Sequence, residues 1–202
     1  MPIQVRPSRP VKQQRLADRP QLILDAAIPI IGQRGYFGFS IKELAQACGL
    51  TVPGILHHFG SKEAILFALL RNRELRDFEA VWQDVPVFDA QKLALLSMAE
   101  VKRLLHESVV RNSQQPELTR LGSMLRTEAL YSQHPAHEFF RKRNARSLET
   151  IAHMLAGKVV CPQSAAAQVS ALFLGLEILW LDNRENFDLV SEWDRAIGKV
   201  LG

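Results

Sequence analysis

The sequence predicts an all-α protein, with an N-terminal three-helix unit carrying a helix-turn-helix and a C-terminal helical bundle after it. Three observations predict this. Apolar residues recur three and four apart along most of the chain. Strand-like alternation and hairpin dipeptides such as Asn-Gly are missing. Serine, threonine, glycine and proline stand where helices would start and stop. With 47% hydrophobic residues in a chain of 202, there is ample apolar surface for a core.

The first helix is expected from about Pro20 to Arg34, with Ile23, Ala26, Ala27, Ile30 and Ile31 as its buried stripe and Gly35 as a left-handed stop. Tyr36 to Phe39 form a short aromatic connector. Ser40 and Glu43 have the spacing of a capping box, so a second helix starts there with Ile41, Leu44, Ala45 and Cys48 on one narrow apolar face. Gly49 can supply the positive φ that ends it, and Leu50 plugs the turn. Thr51 is the next N-cap, with Pro53 in the first turn, where its missing amide hydrogen costs little, and with Ile55 and Phe59 facing the core. Ser61 caps a longer helix that runs to about Trp82 and is broken before Pro86. Further helices are expected over about 90–111, 116–131, 135–160, 164–183 and 188–201.

The net charge of +4 is local. Residues 1–19 hold Arg6, Arg9, Lys12, Arg15 and Arg19 against Asp18, which accounts for the whole excess. With Pro2, Pro7 and Pro10 and little to bury, this stretch reads as a basic flexible arm that tracks phosphates or enters a minor groove, or equally as a solvated terminus with no partner. Cys48 and Cys161 have neither CxxC spacing nor a nearby histidine pair, so no metal site, cofactor or disulfide framework is expected, and a cytoplasmic location fits. No apolar run as long as a membrane span is expected, and the polar, proline-rich start lacks the apolar stretch of a secretory signal. An enzyme would need a nucleophile beside a base, a metal cluster or a phosphate-cradling glycine loop. None stands out, and His106 with Glu107, or His134 with Glu128, read as surface neighbours.

Two short helices joined by a three-residue turn containing glycine, Ile41 to Cys48 and then Val52 to His58, match the helix-turn-helix spacing. The second helix of such a motif lies in a major groove about 12 Å wide, with its N-terminal residues at base edges and its buried face on the first helix. Three segments carry a more specific likeness: Gly35-Tyr36-Phe37-Gly38-Phe39-Ser40-Ile41, then Cys48-Gly49-Leu50-Thr51, then Ile55-Leu56-His57-His58-Phe59-Gly60-Ser61-Lys62-Glu63-Ala64. Together and in this order they resemble the DNA-binding region of TetR-family regulators, over about residues 20–70.

The resemblance implies a DNA-binding domain over residues 20–66 and a regulatory and dimerisation domain over 67–202. It implies phosphate contacts near Ser40 and Ile41, base reading by Thr51, Val52, Pro53 and Gly54, backbone contacts at His57 and His58, and a phosphate contact from Lys62 at the start of the next helix. The chain departs from the family at Leu56, where a tyrosine is frequent, and at Val52-Pro53, where lysine and glycine are frequent, so base reading should lean on thymine methyls. Each residue also has a plainer use. Ser40 and Thr51 suit any helix cap, Lys62 any surface, and one of the histidines, which as adjacent residues cannot pair on a metal, could pack on Tyr36.

In the bundle, the apolar faces are broader than an isolated surface helix needs, and the surplus can line an effector cavity or bury a partner subunit. Cavity candidates are Met98, Val101, Leu105 and His106, then Met124, Glu128 and Tyr131, then Phe173; Met and aromatic residues at helical spacing are more often plain core. Ala165, Ala166, Ala167, Val169, Leu172 and the run to Trp180, with Ile197, Val200 and Leu201, suit a homodimer through the last two helices. The expected function is a repressor of a pseudo-palindromic double-stranded DNA operator, released by a small hydrophobic or amphipathic effector and with no membrane partner. The rival is a helical adaptor that binds protein and no DNA.

Overall fold

The computed structural model describes residues 19–202; residues 1–18, which hold most of the basic arm, lie outside the described residues. The described residues form helices and no strand. In order these are α1 (Arg19–Gly38), α2 (Ile41–Ala47), α3 (Val52–Phe59), α4 (Lys62–Asp77), a π-helical turn (Phe78–Trp82), α5 (Ala90–Leu95), α6 (Met98–Ser113), α7 (Pro116–Glu128), α8 (His137–Leu155), α9 (Pro162–Asp182) and α10 (Leu189–Leu201).

Two apolar cores organise them. The first gathers Ile23, Ala27 and Ile31 of α1, Leu44 of α2, Ile55 of α3, and Ile65 and Leu69 of α4 with Leu121 and Leu125 of α7. The second gathers Val101, Leu105 and Val109 of α6 with Met154 and Leu155 of α8, Val169 and Trp180 of α9, and Trp193 and Ile197 of α10. Helix α7 therefore belongs to the core of the N-terminal half although it comes after α6 in sequence. Gly32 makes this docking close, because a Cβ there would stand 3.4 Å from the Leu121 amide nitrogen. Helix α4 runs unbroken through residues 66 and 67, and its buried residues Ile65, Leu66, Leu69 and Leu70 all belong to the first core.

Several elements differ from the expected ones, each for a local reason. The expected helix over 90–111 is two helices, because Leu96 is extended (φ −57°, ψ 136°) and Ser97 starts α6 afresh with a full capping box to Glu100. At Ser40 only half of the expected box forms: the hydroxyl accepts the Glu43 amide at 3.2 Å, while the Glu43 carboxylate turns to Arg34 at 3.2 Å. Gly35 does adopt positive φ (71°), yet the chain resumes a helical path to Gly38, so α1 is kinked there and not ended. Helix α8 is shorter than expected and spans His137–Leu155, with Gly157 at φ 72° just beyond it. The expectation about membrane-length runs also needs correction, since α9 is by length and composition apolar enough to cross a membrane. Its buried residues Ala165, Ala166, Val169, Glu177 and Trp180 instead face the bundle.

Candidate nucleic-acid interface

The turn between α2 and α3 is built entirely from local rules. Gly49 takes φ 63°, which costs a residue without Cβ nothing, and its amide donates to the Gln46 carbonyl at 3.1 Å. The Leu50 amide then reaches back to the Ala45 carbonyl at 2.8 Å, completing the paired bonds of a Schellman stop. Leu50 packs its side chain on the first core, so the turn is both hydrogen-bonded and anchored. Thr51 reopens the helix by accepting the Gly54 amide at 3.2 Å. Gly60 ends α3 at φ 79°, and Ser61 caps α4 through the Ala64 amide at 3.1 Å.

This frame decides which residues face outward. Ile55 is fully buried and holds α3 against α1 and α2, while Thr51, Pro53 and His57 are exposed and Val52, Gly54 and His58 are half-buried. Ser40 is exposed and Ile41 half-buried at the start of α2. In both caps the hydroxyl oxygen accepts an amide, which leaves the hydroxyl proton free to donate outward. Ser40, Thr51, Pro53 and His57 are thus the solvent-facing residues of the motif among those expected to meet DNA.

Three expectations change here. Lys62 does not extend into solvent: its ammonium lies 4.6 Å from the ring centres of both Tyr36 and Phe39, and burial lowers its pKa from the ordinary lysine value. Neither His57 nor His58 packs on Tyr36; they meet each other edge to face at 5.7 Å, and Tyr36 takes His134 at 5.2 Å instead. His134 is not a surface residue, being 2% exposed against the aromatic connector.

The contact that ties this motif to the rest of the molecule escaped the sequence reading. The kink at Gly35 removes the Tyr36 amide from the helical ladder, and Glu128 at the end of α7 accepts it at 2.7 Å. Any Cβ on Gly35 would overlap that carboxylate. The Tyr36 hydroxyl donates to Glu63 at 3.0 Å; burial, reinforced by Glu63, pushes its pKa up to about 12. No periodicity relates residues 92 positions apart, so only the glycine hinted at this bond.

The cavity candidates separate into two places. Val101 and Leu105 are buried in the second core with Met98 beside them, and Phe173 stands edge to face on Trp193 at 5.7 Å. His106 is half-exposed and pairs with Asp194 at 2.8 Å. Glu128 and Tyr131 sit instead at the junction with the helix-turn-helix, where Tyr131, just beyond α7, is 58% exposed and 6.3 Å from Phe37; Met124 precedes Glu128 on α7, half-buried. No group of three or more potential metal-ligating side chains occurs among the described residues.

Comparison with known proteins agrees with this geometry. The model of the bacterial regulatory proteins of the tetR family matches residues 23–69. The HTH-type transcriptional regulator BetI of Rhizobium meliloti is 30% identical over 171 residues, covering 77% of this chain and 76% of its own. An HTH-type transcriptional repressor of Mycobacterium tuberculosis is 39% identical over 61 residues, 30% of this chain, and the match spans only 33% of that repressor's length. Among solved structures, AibR in complex with isovaleryl coenzyme A and operator DNA superposes with a TM-score of 0.72 at 20% identity, over 91% of this chain and 98% of that one.

Proposed function

Because the chain belongs to the TetR family of bacterial regulatory proteins, we propose that it is a repressor that binds a pseudo-palindromic operator as a homodimer and releases it when a small amphipathic effector binds the bundle. The observation that carries this reading is the exposure of Ser40, Thr51, Pro53 and His57 on two helices locked by capped ends and a Schellman turn. A motif of that kind fits a major groove, with Val52, Pro53 and Gly54 nearest the base edges and the hydroxyls of Ser40 and Thr51 on phosphates. Main-chain groups at Ile41 and the imidazoles of His57 and His58 would complete the backbone contacts. Lys62 would join them only after leaving the rings of Tyr36 and Phe39.

Residues 20–66 would act as the DNA-binding domain, 67–202 as the regulatory and dimerisation domain, and 1–19 as a basic arm that follows the phosphates. Two recognition helices about 34 Å apart would read the two half-sites of one operator. The solvent-facing side of α9, where Ile178 and Leu179 are 57% and 54% exposed, supports pairing with a second copy through α9 and α10. An operator as partner supports a cytoplasmic location.

An effector would act by binding better to the spacing that does not fit the operator, which shifts the population away from the DNA-competent state. Val101, Leu105 and Phe173 with Met98 would line its apolar seat between α6 and α9. Capture of genomic fragments on the immobilised protein, followed by footprinting, tests the reading. Two protected half-sites related by a two-fold axis are expected; fragments without a shared, symmetric sequence would refute it. Changes at Val52 and Pro53 should alter which half-site is selected.

A further inference from the structure

The second half of the molecule buries a set of charges that DNA reading does not use. Arg73 of α4 crosses α7, donating to the Leu118 carbonyl and approaching Asp77 at 3.5 Å. Gly122 makes this crossing possible, since a Cβ there would overlap the guanidinium. Arg111 takes the other oxygen of Asp77 at 2.9 Å, and Arg143 and the exposed Arg146 share Glu74 at 3.4 and 3.7 Å. Glu74 and Asp77 of α4 are therefore occupied.

Two groups are left over. Arg126, on the last turns of α7, has no carboxylate within ion-pair distance among the described residues; its Nε is out of solvent with no partner, and its only polar contact is to Asn144 at 3.4 Å. Glu177 of α9 is 4% exposed and accepts the Asn112 amide, with no cation in ion-pair distance among the described residues. Burying a guanidinium without a contacting carboxylate is unfavourable, and burial, aided by Arg143 and opposed by the more distant Glu177, pushes Arg126 down to about 10. A guanidinium fork matches a carboxylate or phosphate in two parallel bonds.

The Asn112–Glu177 bond joins α6 to α9 beside apolar residues of the second core. On α6, Asn112 follows Leu105 by seven residues, and on α9, Glu177 follows Phe173 by four, so each polar residue shares a face with an apolar one two turns or one turn away. The space beside Arg143 is small, about 10 Å³, so a ligand must part α7 from α8 to enter. Helix α7 ends at Glu128, which holds the Tyr36 amide.

We infer that the effector is an amphipathic anion, whose carboxylate or phosphate is bound by Arg126 with Arg143 beside it and whose apolar part enters between α6 and α9. This rests on the proposed release of operator by an effector. Occupation would shift the last turns of α7, which carry both Arg126 and Glu128, and so loosen the hold on the kink that positions α2 and α3. Burial holds the Glu177 carboxyl above the ordinary range, which lessens its repulsion of the incoming anion.

Octanoate, octyl phosphate and the neutral octanol serve as probes, titrated calorimetrically into the full-length protein. At least one of the anions should bind roughly tenfold or more tightly than octanol, in line with one charge-assisted bond, and which one binds separates carboxylate from phosphate recognition. Arg126→Gln should abolish that preference, Arg126→Lys should retain part of it, and Glu177→Gln should strengthen it; circular dichroism checks that each variant is folded. The inference is overturned if octanol binds as well as the anions, if the preference survives Arg126→Gln in a folded protein, or if neither anion binds the wild type or Glu177→Gln at millimolar concentration. The release reading fails separately. Anion binding that leaves a bound operator in place sinks release and keeps the site, whereas release by octanol alone keeps release and sinks the anion site.

Discussion

The amide of Tyr36 cannot donate within its own helix, because Gly35 at φ 71° turns the chain out of the helical path, and the Glu128 carboxylate supplies the acceptor. Gly35→Ala meets two penalties at once, a positive φ on a residue with Cβ and an overlap with Glu128. It should lower stability by about 1–3 kcal/mol in urea unfolding. Beside this bond, His134 accepts the Ala136 amide on Nδ1 at 3.1 Å, so its neutral form carries the proton on Nε2, which has no partner. Burial lowers its pKa, and His137 adds to this, although Glu128 at 3.8 Å opposes it. The unfolded chain then takes up a proton first, so the contribution of His134 is intact above about pH 6.5 and is lost as pH falls through the lower folded value. His134→Gln should flatten the fall in thermal midpoint below that pH; an unchanged acid slope would show that another group carries it. At this scale the sequence displayed the glycine and its positive φ, but the acceptor lay far along the chain and the burial of His134 had no local signature.

At the scale of elements, each helix end that the sequence marked with Ser or Thr before a charged or proline-led turn is a true cap, as at Ser40, Thr51 and Ser61. Ser40→Ala and Thr51→Ala should each cost about 1 kcal/mol in denaturant unfolding. If the free hydroxyl protons also meet phosphate, operator affinity of the two variants, measured under conditions where both are fully folded, should fall roughly tenfold as well. The capping box at Ser97 and Glu100 was equally visible in the sequence, yet Leu93, Leu96, Val101 and Leu104 keep helical spacing across it, and periodicity alone cannot tell a continuous helix from two that share a face. At Ser40 the reverse happened: the spacing of a full box was present, and Arg34, one helix away, drew Glu43 from it. Local pattern therefore placed the DNA-reading helices to within a residue or two, while competition from neighbouring elements decided their details.

For the whole molecule, the order of packing is what the chain concealed. Helix α7 docks on α1 and not only on its neighbours in the bundle, and five guanidiniums and three carboxylates gather between α4, α6, α7, α8 and α9, where the sequence showed only scattered charges. The apolar run of α9 was legible in the sequence, and the structure leaves Ile178 and Leu179 57% and 54% exposed on it, the side that the proposed dimer would cover. Ile178→Glu with Leu179→Glu should convert the dimer to a folded monomer in analytical ultracentrifugation and reduce operator affinity by about a hundredfold or more, since only the paired half-sites give the full interaction. If the chain reads DNA through α2 and α3, fluorescence anisotropy of the selected operator at salt concentrations from about 50 to 300 mM should show two chains per operator and a steep linear fall of log affinity with log salt, reduced in slope when residues 2–15 are removed. Binding that is absent, or that ignores both salt and sequence, would contradict DNA reading by these helices.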